Sequence, residues 1–265
     1  MGISRRELLA GIGGAAAGSM TLLGGQESYA RTAGGAASIQ YYGGPESAVH
    51  EDHWIPPAAH DGRVIWSAPT TARRIALTFD DGPSPDWTPR VLDTLARHEA
   101  QATFFCQGDN IERYGRLHKD SVGIHEFGNH GYDHPDMSKM ALDECLAQLR
   151  RTTVAIRGAL SVEPTLFRPP YGHLGGAAML AASESGLTTV VWSMQMLEST
   201  YEENPRALVD FLVGLVTPGA IILAHDTGSS DRLVAIDRLD RIIRRLRGEG
   251  YEFTTVSDLC GLPAR

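Results

Sequence analysis

The sequence predicts an α/β fold built on parallel strands, and three observations support this prediction. From about residue 72, short apolar runs rich in β-branched and aromatic residues alternate with amphipathic stretches of helical period. A strict alternation of strand and helix makes the strands parallel. The sequence contains six or seven strand–helix units, and no change in composition marks a second domain among them. This favours a closed β/α barrel over an open doubly wound sheet.

The predicted elements follow one another from residue 74 to residue 256. Strands are expected at 74–79, 102–106, 122–128, 165–168, 188–193, 220–225 and 251–256. Helices are expected at about 86–98, 109–117, 138–158, 175–186, 204–216 and 232–248. In the third helix, for example, Leu142, Leu146 and Leu149 recur at the three- and four-residue spacing of one helix face.

The N-terminal residues 1–30 resemble a twin-arginine signal peptide. Arg5 and Arg6 precede a Gly/Ala-rich, weakly apolar stretch at 10–23, and residues 28–30 offer a cleavage site of the small-residue type. A membrane anchor is the weaker alternative, because the stretch is shorter than the ~20 apolar residues of a membrane span. We therefore expect export by the twin-arginine route to the cell envelope or the medium, with no stable membrane insertion after cleavage.

Composition limits the remaining possibilities. Residues 31–71 are rich in Gly, Ala, Pro and Ser and predict a flexible arm, so the folded domain is expected at 72–265, as a monomer. Acidic residues outnumber basic ones, 32 to 24, and the sequence has no run of basic residues that would indicate nucleic-acid binding. No Gly-x-Gly-x-x-Gly turn supports dinucleotide binding. The three cysteines fit no metal-binding spacing and are expected to be small buried residues, although one disulfide remains possible after export.

Polar clusters stand at the ends of four predicted strands. The first strand ends in Asp80-Asp81, and the third runs into HEFGNHGYDHP at residues 125–135. The fourth ends in RPPYG at 168–172, and the sixth in ILAHD at 222–226. Since the carboxyl ends of parallel strands share one rim of a barrel, these clusters are expected to meet there.

The histidine pair in the second cluster predicts a metal site. His130 and His134 are four residues apart, which on a helical turn puts both imidazoles on one face, as zinc ligands require. Gly131 stands where a His-Glu-x-x-His metalloprotease would have its glutamate, so that class is excluded. Of Asp80 and Asp81, one carboxylate can complete the ligand set while the other takes a proton from the attacking water. Two histidines and one carboxylate also suit a non-haem iron oxygenase, so the ligand set alone does not define the reaction.

These motifs, in this order, resemble the polysaccharide deacetylase family, the NodB homology domain or carbohydrate esterase family four. The resemblance rests on TFDDGP at 78–83, ATFF at 102–105, GNHGYDHP at 128–135, RPPYG at 168–172 and the stretch to His225, and it covers residues 72 to about 258. It implies a distorted seven-stranded β/α barrel. It also implies that Asp80 is the general base, and that the ligands of zinc, or of another divalent transition metal, are Asp81, His130 and His134.

The resemblance assigns four further residues. Arg168 corresponds to the arginine that orients the base, and the backbone N–H of Tyr171 to the donor that, with the metal, holds the oxyanion. His225 corresponds to the general acid that protonates the leaving amine. Leu223 corresponds to the residue that lines the pocket for the acetyl methyl group. The other histidines outside the arm, His98, His118, His125 and His173, are expected to be structural, although His125 is close enough in sequence to hydrogen-bond into the site.

One stretch departs from the family pattern. Where the family shows Asp-x-x-Asp-Trp, this chain has Gln195, Glu198 and Ser199 in place of the two aspartates and the tryptophan. Glu198 can still pair with His225, but the tryptophan that would form an aromatic wall of the pocket is missing. The identity of the substrate is therefore less well defined by the sequence than the type of reaction. Trp192, just before this stretch, is expected either in the core or, with Tyr171, against a sugar ring.

The sequence thus predicts an exported, metal-dependent deacetylase that hydrolyses N-acetyl groups of amino-sugar glycans, either peptidoglycan or chitin-like oligosaccharides. The alternatives are an O-acetyl (acetylxylan) esterase using the same site, a carbohydrate-binding protein without catalysis, and an amidase of non-glycan substrates. The intact base and metal positions argue against the second alternative, and the third rests on the Gln195–Ser199 stretch alone.

Overall fold

The computed structural model describes residues 62–263. The predicted signal peptide and residues 31–61 of the predicted arm lie outside the described residues. Within them the strands are β1 Val64–Ile65, β2 Arg74–Asp80, β3 Thr103–Cys106, β4 Glu126–Asn129, β5 Leu166–Phe167, β6 Thr188–Val190, β7 Met194–Gln195, β8 Ile221–His225 and β9 Glu252–Phe253.

Seven α-helices lie between or after these strands in the same range. They are α1 Thr88–Arg97, α2 Gly108–Tyr114, α3 Leu142–Leu160, α4 Gly176–Glu184, α5 Pro205–Leu215, α6 Leu233–Gly248 and α7 Val256–Cys260. Short 3-10 helices cover Gly115–Ser121, Met137–Lys139, Pro170–Gly172, Glu198–Tyr201 and Ser230–Arg232. None of these helices combines the length and the apolar character needed to cross a bilayer.

The strands form one curled parallel sheet. Its order is β1-β6-β5-β4-β3-β2-β8-β7, with β9 also paired to β2. β6 and β7 belong to one continuous segment, yet β6 pairs with β5 and β7 pairs with β8, so this segment joins the two sides of the curled sheet. The predicted parallel, barrel-like α/β fold is confirmed, and each of the seven predicted strands has a counterpart.

The alternation of side chains along β2 builds two layers of core. Ile75, Leu77 and Phe79 are buried in the cluster that the helices cover, whereas Ala76 lies in a second cluster that includes Phe105. This period of two is what a strand covered on both faces requires. The three cysteines, Cys106, Cys145 and Cys260, are buried and free, as expected of small core residues.

The structure places residues 64–68 in the sheet and core, although the sequence assigns them to the arm. β1 pairs in parallel with β6, and Ile65 and Ala68 are buried. The Ala68 N–H donates to the carbonyl oxygen of Gly219, whose φ of +80° and close approach to Ala68 leave no space for a Cβ. The run Val64-Ile65-Trp66 is too short to show a period, so its pairing depends on the distant strand β6.

The strand register brings the predicted clusters to one edge of the sheet. Asp80, the last residue of β2, lies directly beside His225, the last residue of β8. Asn129 of β4 lies beside Phe167 of β5, so the next residue of each strand, His130 and Arg168, leaves the sheet at the same level.

His118 and His125 form part of the core on the other side of this sheet region. Both rings pack on Phe104, with ring centroids 4.7 and 5.4 Å away, and His118 also packs edge-on against Phe127. His125 precedes β4 and therefore lies at the amino end of that strand, away from the polar edge. His125 is thus a core residue, as expected, and the four residues of β4 separate it from the polar edge, so it does not reach the site.

These two buried histidines should make the folded protein less stable in mild acid. Burial lowers the pKa of His118 to about 3 and that of His125 to about 4. The unfolded chain takes up a proton at each near pH 6.5 while the folded chain does not, so the contribution of these two histidines to the free energy of unfolding should fall as pH decreases from about 6.5 to 4.

The test is to replace one of the two titrating rings. Urea unfolding of His118→Phe between pH 4 and 6.5 gives the free energy of unfolding as a function of pH. Its slope against pH should be smaller than in the wild type by up to about 1.4 kcal/mol per pH unit, because only one of the two buried histidines, His125, remains. Carboxylates common to both proteins cancel in the comparison. An unchanged slope would contradict the assignment.

Candidate active site

The adjacent carboxylates Asp80 and Asp81 face different partners. Asp80 is buried at the end of β2, and its Oδ1 accepts a hydrogen bond of 2.7 Å from Nη1 of Arg168. Asp81 has a φ of +73°, in the left-handed region, which turns its carboxylate away from the strand. Its Oδ1 lies 3.2 Å from Nε2 of both His130 and His134. A left-handed non-glycine residue is strained, and such strain is typical of functional sites.

His130 and His134 meet in a loop, so the predicted helical turn is wrong. The residues after β4 are not helical, and the chain reverses through Gly131 and His134, with φ values of +76° and +57°. The Gly131 N–H donates to Oδ1 of Asn129, which fixes the start of this loop. The two imidazole centroids are 5.1 Å apart. Two left-handed residues thus achieve the proximity that the four-residue spacing suggested for a helix.

The backbone of Arg168 orients His130. Nδ1 of His130 donates to the carbonyl oxygen of Arg168 at 2.7 Å. A carbonyl oxygen can only accept, so the proton is on Nδ1 and the lone pair on Nε2 is free to bind a metal. A partner of this kind is usual for a metal-binding histidine.

The donor set fits a divalent transition metal. One ligand atom each from Asp81, His130 and His134 lies within 4.8 Å of the others. Oδ1 of Asp81 is buried and accepts no hydrogen bond from any part of the chain that the structure describes. Two imidazole nitrogens and one carboxylate oxygen suit zinc and similar ions and leave positions for water and substrate.

The pKa values show that this site favours positive charge. Although burial raises the pKa of Asp81, its contacts with His130 and His134 hold that pKa well below the usual range. Burial lowers the pKa of His130, but the negative charges of Asp80 and Asp81 outweigh it and raise the pKa. A cation bound between these groups would replace the protons that the site otherwise attracts.

Arg168 is held rigidly behind Asp80. It is fully buried, and Nη1 also donates to Oγ1 of Thr78 at 2.8 Å, while Nη2 donates to the carbonyl oxygen of Val191 at 2.9 Å. Its guanidinium lies 4.0 Å above the ring of Phe105. The structure therefore brings a fixed positive charge to Asp80, where the sequence predicted it.

Glu198 and His225 form a second hydrogen-bonded pair at the site. Nδ1 of His225 donates to Oε2 of Glu198 at 2.7 Å, and the backbone N–H of His225 donates to Oε1 at 3.1 Å. Glu198 opens a 3-10 helix directly after Leu197, which has a left-handed φ of +50°. This turn brings the glutamate back to the end of β8, so the extra methylene relative to aspartate does not prevent the pairing.

A small polar cavity opens beside this pair. Its volume is about 180 Å³. The wall includes the Met196–Thr200 segment and Gln195, Leu223, His225 and Arg232. Ser199 stands where the family pattern has tryptophan, and Leu223 is buried on β8 beneath the cavity. The predicted acetyl pocket and the unusual stretch therefore share one wall.

Tyr171 stands next to the histidine pair, and Trp192 lies under its turn. Tyr171 has a φ of +61°, is 59% exposed, and packs edge-on against His134 with centroids 4.5 Å apart. A Cβ on Gly172 would come within 2.5 Å of the Trp192 ring, so this turn rests directly on the indole. Trp192 is also 5.7 Å from the guanidinium of Arg168 and packs on the core.

Two residues at the site were given no role from the sequence, although Asp226 is part of the ILAHD cluster. Nη1 of Arg232 donates to Oδ2 of Asp81 at 2.9 Å. Asp226 is buried against Gly82 and accepts a hydrogen bond from Thr88, and burial raises its pKa to about 7. Both follow β8, and charged residues in the loop after an active-site strand were the available signal.

Hydrolases that use a divalent metal need a site with open coordination positions, a base that is not a ligand, and a donor for the leaving group. The residues at the ends of the parallel strands in this chain are of the kinds that such a site needs. A family model described as polysaccharide deacetylase matches residues 67–190.

Two similar proteins have named activities. A peptidoglycan-N-acetylglucosamine deacetylase of Bacillus cereus is 38% identical over 201 residues, which are 75% of this chain and 93% of that protein. Peptidoglycan-N-acetylglucosamine deacetylase PgdA of Listeria monocytogenes is also 38% identical, over 72% of this chain, but the match spans 40% of the length of PgdA. The chain therefore belongs to the polysaccharide deacetylase family.

Solved structures agree with this assignment. The Bc1960 peptidoglycan N-acetylglucosamine deacetylase, crystallised with 4-naphthalen-1-yl-N-oxidanyl-benzamide, has a TM-score of 0.70 and 32% identity, over 74% of this chain and 92% of that one. BA3943 of Bacillus anthracis, a pseudoenzyme of family CE4, has a TM-score of 0.69 and 26% identity, over 81% of this chain and 72% of that one. The family thus includes a protein described as a pseudoenzyme, so activity has to be argued from this chain's own site.

Proposed function

We propose that this protein is an exported, metal-dependent deacetylase that hydrolyses the N-acetyl group of amino sugars in peptidoglycan. One observation carries the proposal: Asp80, fixed by Arg168, lies beside the Asp81–His130–His134 set, and His225, paired with Glu198, ends the neighbouring strand. This arrangement supports the assignment of Asp80 as base, of the three-residue set as metal ligands and of His225 as acid. The named activities of the two relatives support peptidoglycan as the substrate.

In this proposal, Asp80 takes a proton from water as the water oxygen attacks the acetyl carbon. Bound zinc, or another divalent transition metal, would polarise the acetyl carbonyl and stabilise negative charge on its oxygen. The backbone N–H of Tyr171, presented by its left-handed turn, would donate to the same oxygen. His225, held by Glu198, would protonate the nitrogen as the carbon–nitrogen bond breaks, so that the products are acetate and a free amine.

The residues proposed to contact the substrate include the part of the site that departs most from the family pattern. Leu223 would contact the acetyl methyl group, and Tyr171 offers an exposed aromatic ring next to the metal ligands. Trp192 packs against the turn at Tyr171 and Gly172. It would therefore affect sugar binding by holding the Tyr171 ring in position. Export by the twin-arginine route, through residues 1–30, would take the folded monomer to the cell envelope, where such a glycan is found.

The test is acetate release by the full chain from an N-acetylglucosamine oligomer, from peptidoglycan and from acetylxylan, each with added zinc and with a chelator. Zinc-dependent release from the amino-sugar substrates is the expected result. Release from acetylxylan alone would favour the O-acetyl esterase. Zinc binding and glycan binding without any release would make the protein a carbohydrate-binding relative, in line with the pseudoenzyme in the family.

The altered Gln195–Ser199 wall keeps the esterase alternative open, and His225 separates the two reactions. An amine leaves only when protonated, whereas a sugar alkoxide depends less on an acid. We expect His225→Ala to reduce release from N-acetyl substrates by about 10²- to 10⁴-fold, and release from O-acetyl esters by clearly less. Measuring kcat on both substrates with the same variant checks this. Equal losses would remove the assigned role of His225.

A further inference from the structure

Arg232 reaches the predicted metal site from a distant part of the chain. It ends the short helix Ser230–Arg232, directly before α6, and its side chain is 31% exposed at the edge of the small cavity. Its Nη1 donates to Oδ2 of Asp81 at 2.9 Å. A cation therefore touches a carboxylate that is also a candidate metal ligand.

The loop before this arginine is shaped around it. Gly228 has a φ of +122°, and a Cβ there would lie 2.9 Å from Nη1 and 3.0 Å from Cδ of Arg232. Any side chain at Gly228 would thus push the arginine off its path. The hydroxyl of Ser229 hydrogen-bonds to the carboxylate of Asp231 and holds the same turn. The contact with Asp81 follows from the loop geometry.

The two oxygens of Asp81 are divided between two tasks. Oδ1 faces Nε2 of His130 and His134, and Oδ2 is occupied by Arg232. We propose that Arg232 is a positioning residue that restricts Asp81 to binding the metal through one oxygen. The restriction leaves a coordination position for water and substrate, and the nearby positive charge weakens metal binding. This inference rests on the metal dependence proposed above.

The proposal predicts opposite changes in metal affinity and turnover. In Arg232→Met the carboxylate is free to bind through both oxygens, and one repelling charge is gone, so the Kd for zinc should fall at least about threefold. Turnover should nevertheless fall about 10- to 100-fold, as is typical when a group holding a metal ligand is lost. Arg232→Lys, which keeps the charge, should keep the wild-type Kd and recover part of the turnover.

The experiment is a zinc titration of the full chain and its variants, with the visible absorption of the cobalt(II)-loaded forms as a second readout. Arg244→Met is the matched control, because Arg244 pairs with Asp240 on the outer face of α6, away from the site. We expect tighter zinc binding and weaker cobalt bands, from a higher coordination number, in Arg232→Met only.

Three results would overturn the inference. One is an unchanged Kd and cobalt spectrum in Arg232→Met while the wild type binds zinc and releases acetate. A second is a parallel loss of zinc affinity and turnover not relieved by Arg232→Lys, which would indicate a merely structural role. If the wild type binds no metal, the proposed function fails, and this inference fails with it.

Discussion

Replacing Asp80 by asparagine should abolish acetate release and leave metal binding intact. Asparagine keeps the shape of the side chain but cannot take a proton from water, and a general base contributes about 10²- to 10⁴-fold to the rate. The three ligand atoms come from other residues, Asp81, His130 and His134. Acetate release and a zinc titration on the same preparation would measure both effects.

The neighbouring carboxylate is the natural control. Asp81→Asn should lose zinc affinity together with activity, because its Oδ1 faces both imidazoles. The two variants differ by one position and by no net charge, so their contrast isolates the division of roles. If Asp80→Asn lost the metal and Asp81→Asn kept it, the roles would have to be exchanged.

Arg168→Met should have the largest effect on stability. It would leave Asp80 buried without its partner at 2.7 Å, and it would also remove donors from Thr78 and Val191. Breaking a buried ion pair by removing one partner costs about 3–5 kcal/mol. Urea unfolding in the presence of chelator would measure this cost, and activity should fall with it because Asp80 would no longer be held in place.

A double variant separates the two consequences. In Asp80→Asn/Arg168→Met no buried charge is left uncompensated, so much of the lost stability should return while activity stays absent. Additive losses of stability in the two single variants would contradict a direct interaction. A loss below about 1 kcal/mol in Arg168→Met would mean that Asp80 finds another partner or water.

These predictions also bear on the pseudoenzyme relationship. A protein can keep the fold of this family without the reaction, as the similarity to BA3943 shows. In this chain the candidate base, its arginine and the three candidate ligands are brought together by three different strand ends, those of β2, β4 and β5. The altered part is the wall at Gln195 and Ser199, so we expect the changes to concern which substrate is accepted.

The sequence by itself determined the order of strands and helices and the edge at which the site forms. Alternating apolar runs and amphipathic stretches require parallel strands, and parallel strands bring their carboxyl ends to one edge. Hence the proximity of Asp80, His130, Arg168 and His225 could be predicted without coordinates. The pairing of Glu198 with His225 could also be expected, because a glutamate differs from an aspartate only in length.

Only the tertiary structure decided how these residues are aimed. Asp80 and Asp81 diverge because Asp81 is left-handed, and His130 and His134 meet in a loop for the same kind of reason. Backbone dihedral angles of single loop residues leave no periodic trace in a sequence. The Arg232–Asp81 contact joins residues 151 positions apart, and β1 depends on β6, so both follow from how the whole chain packs.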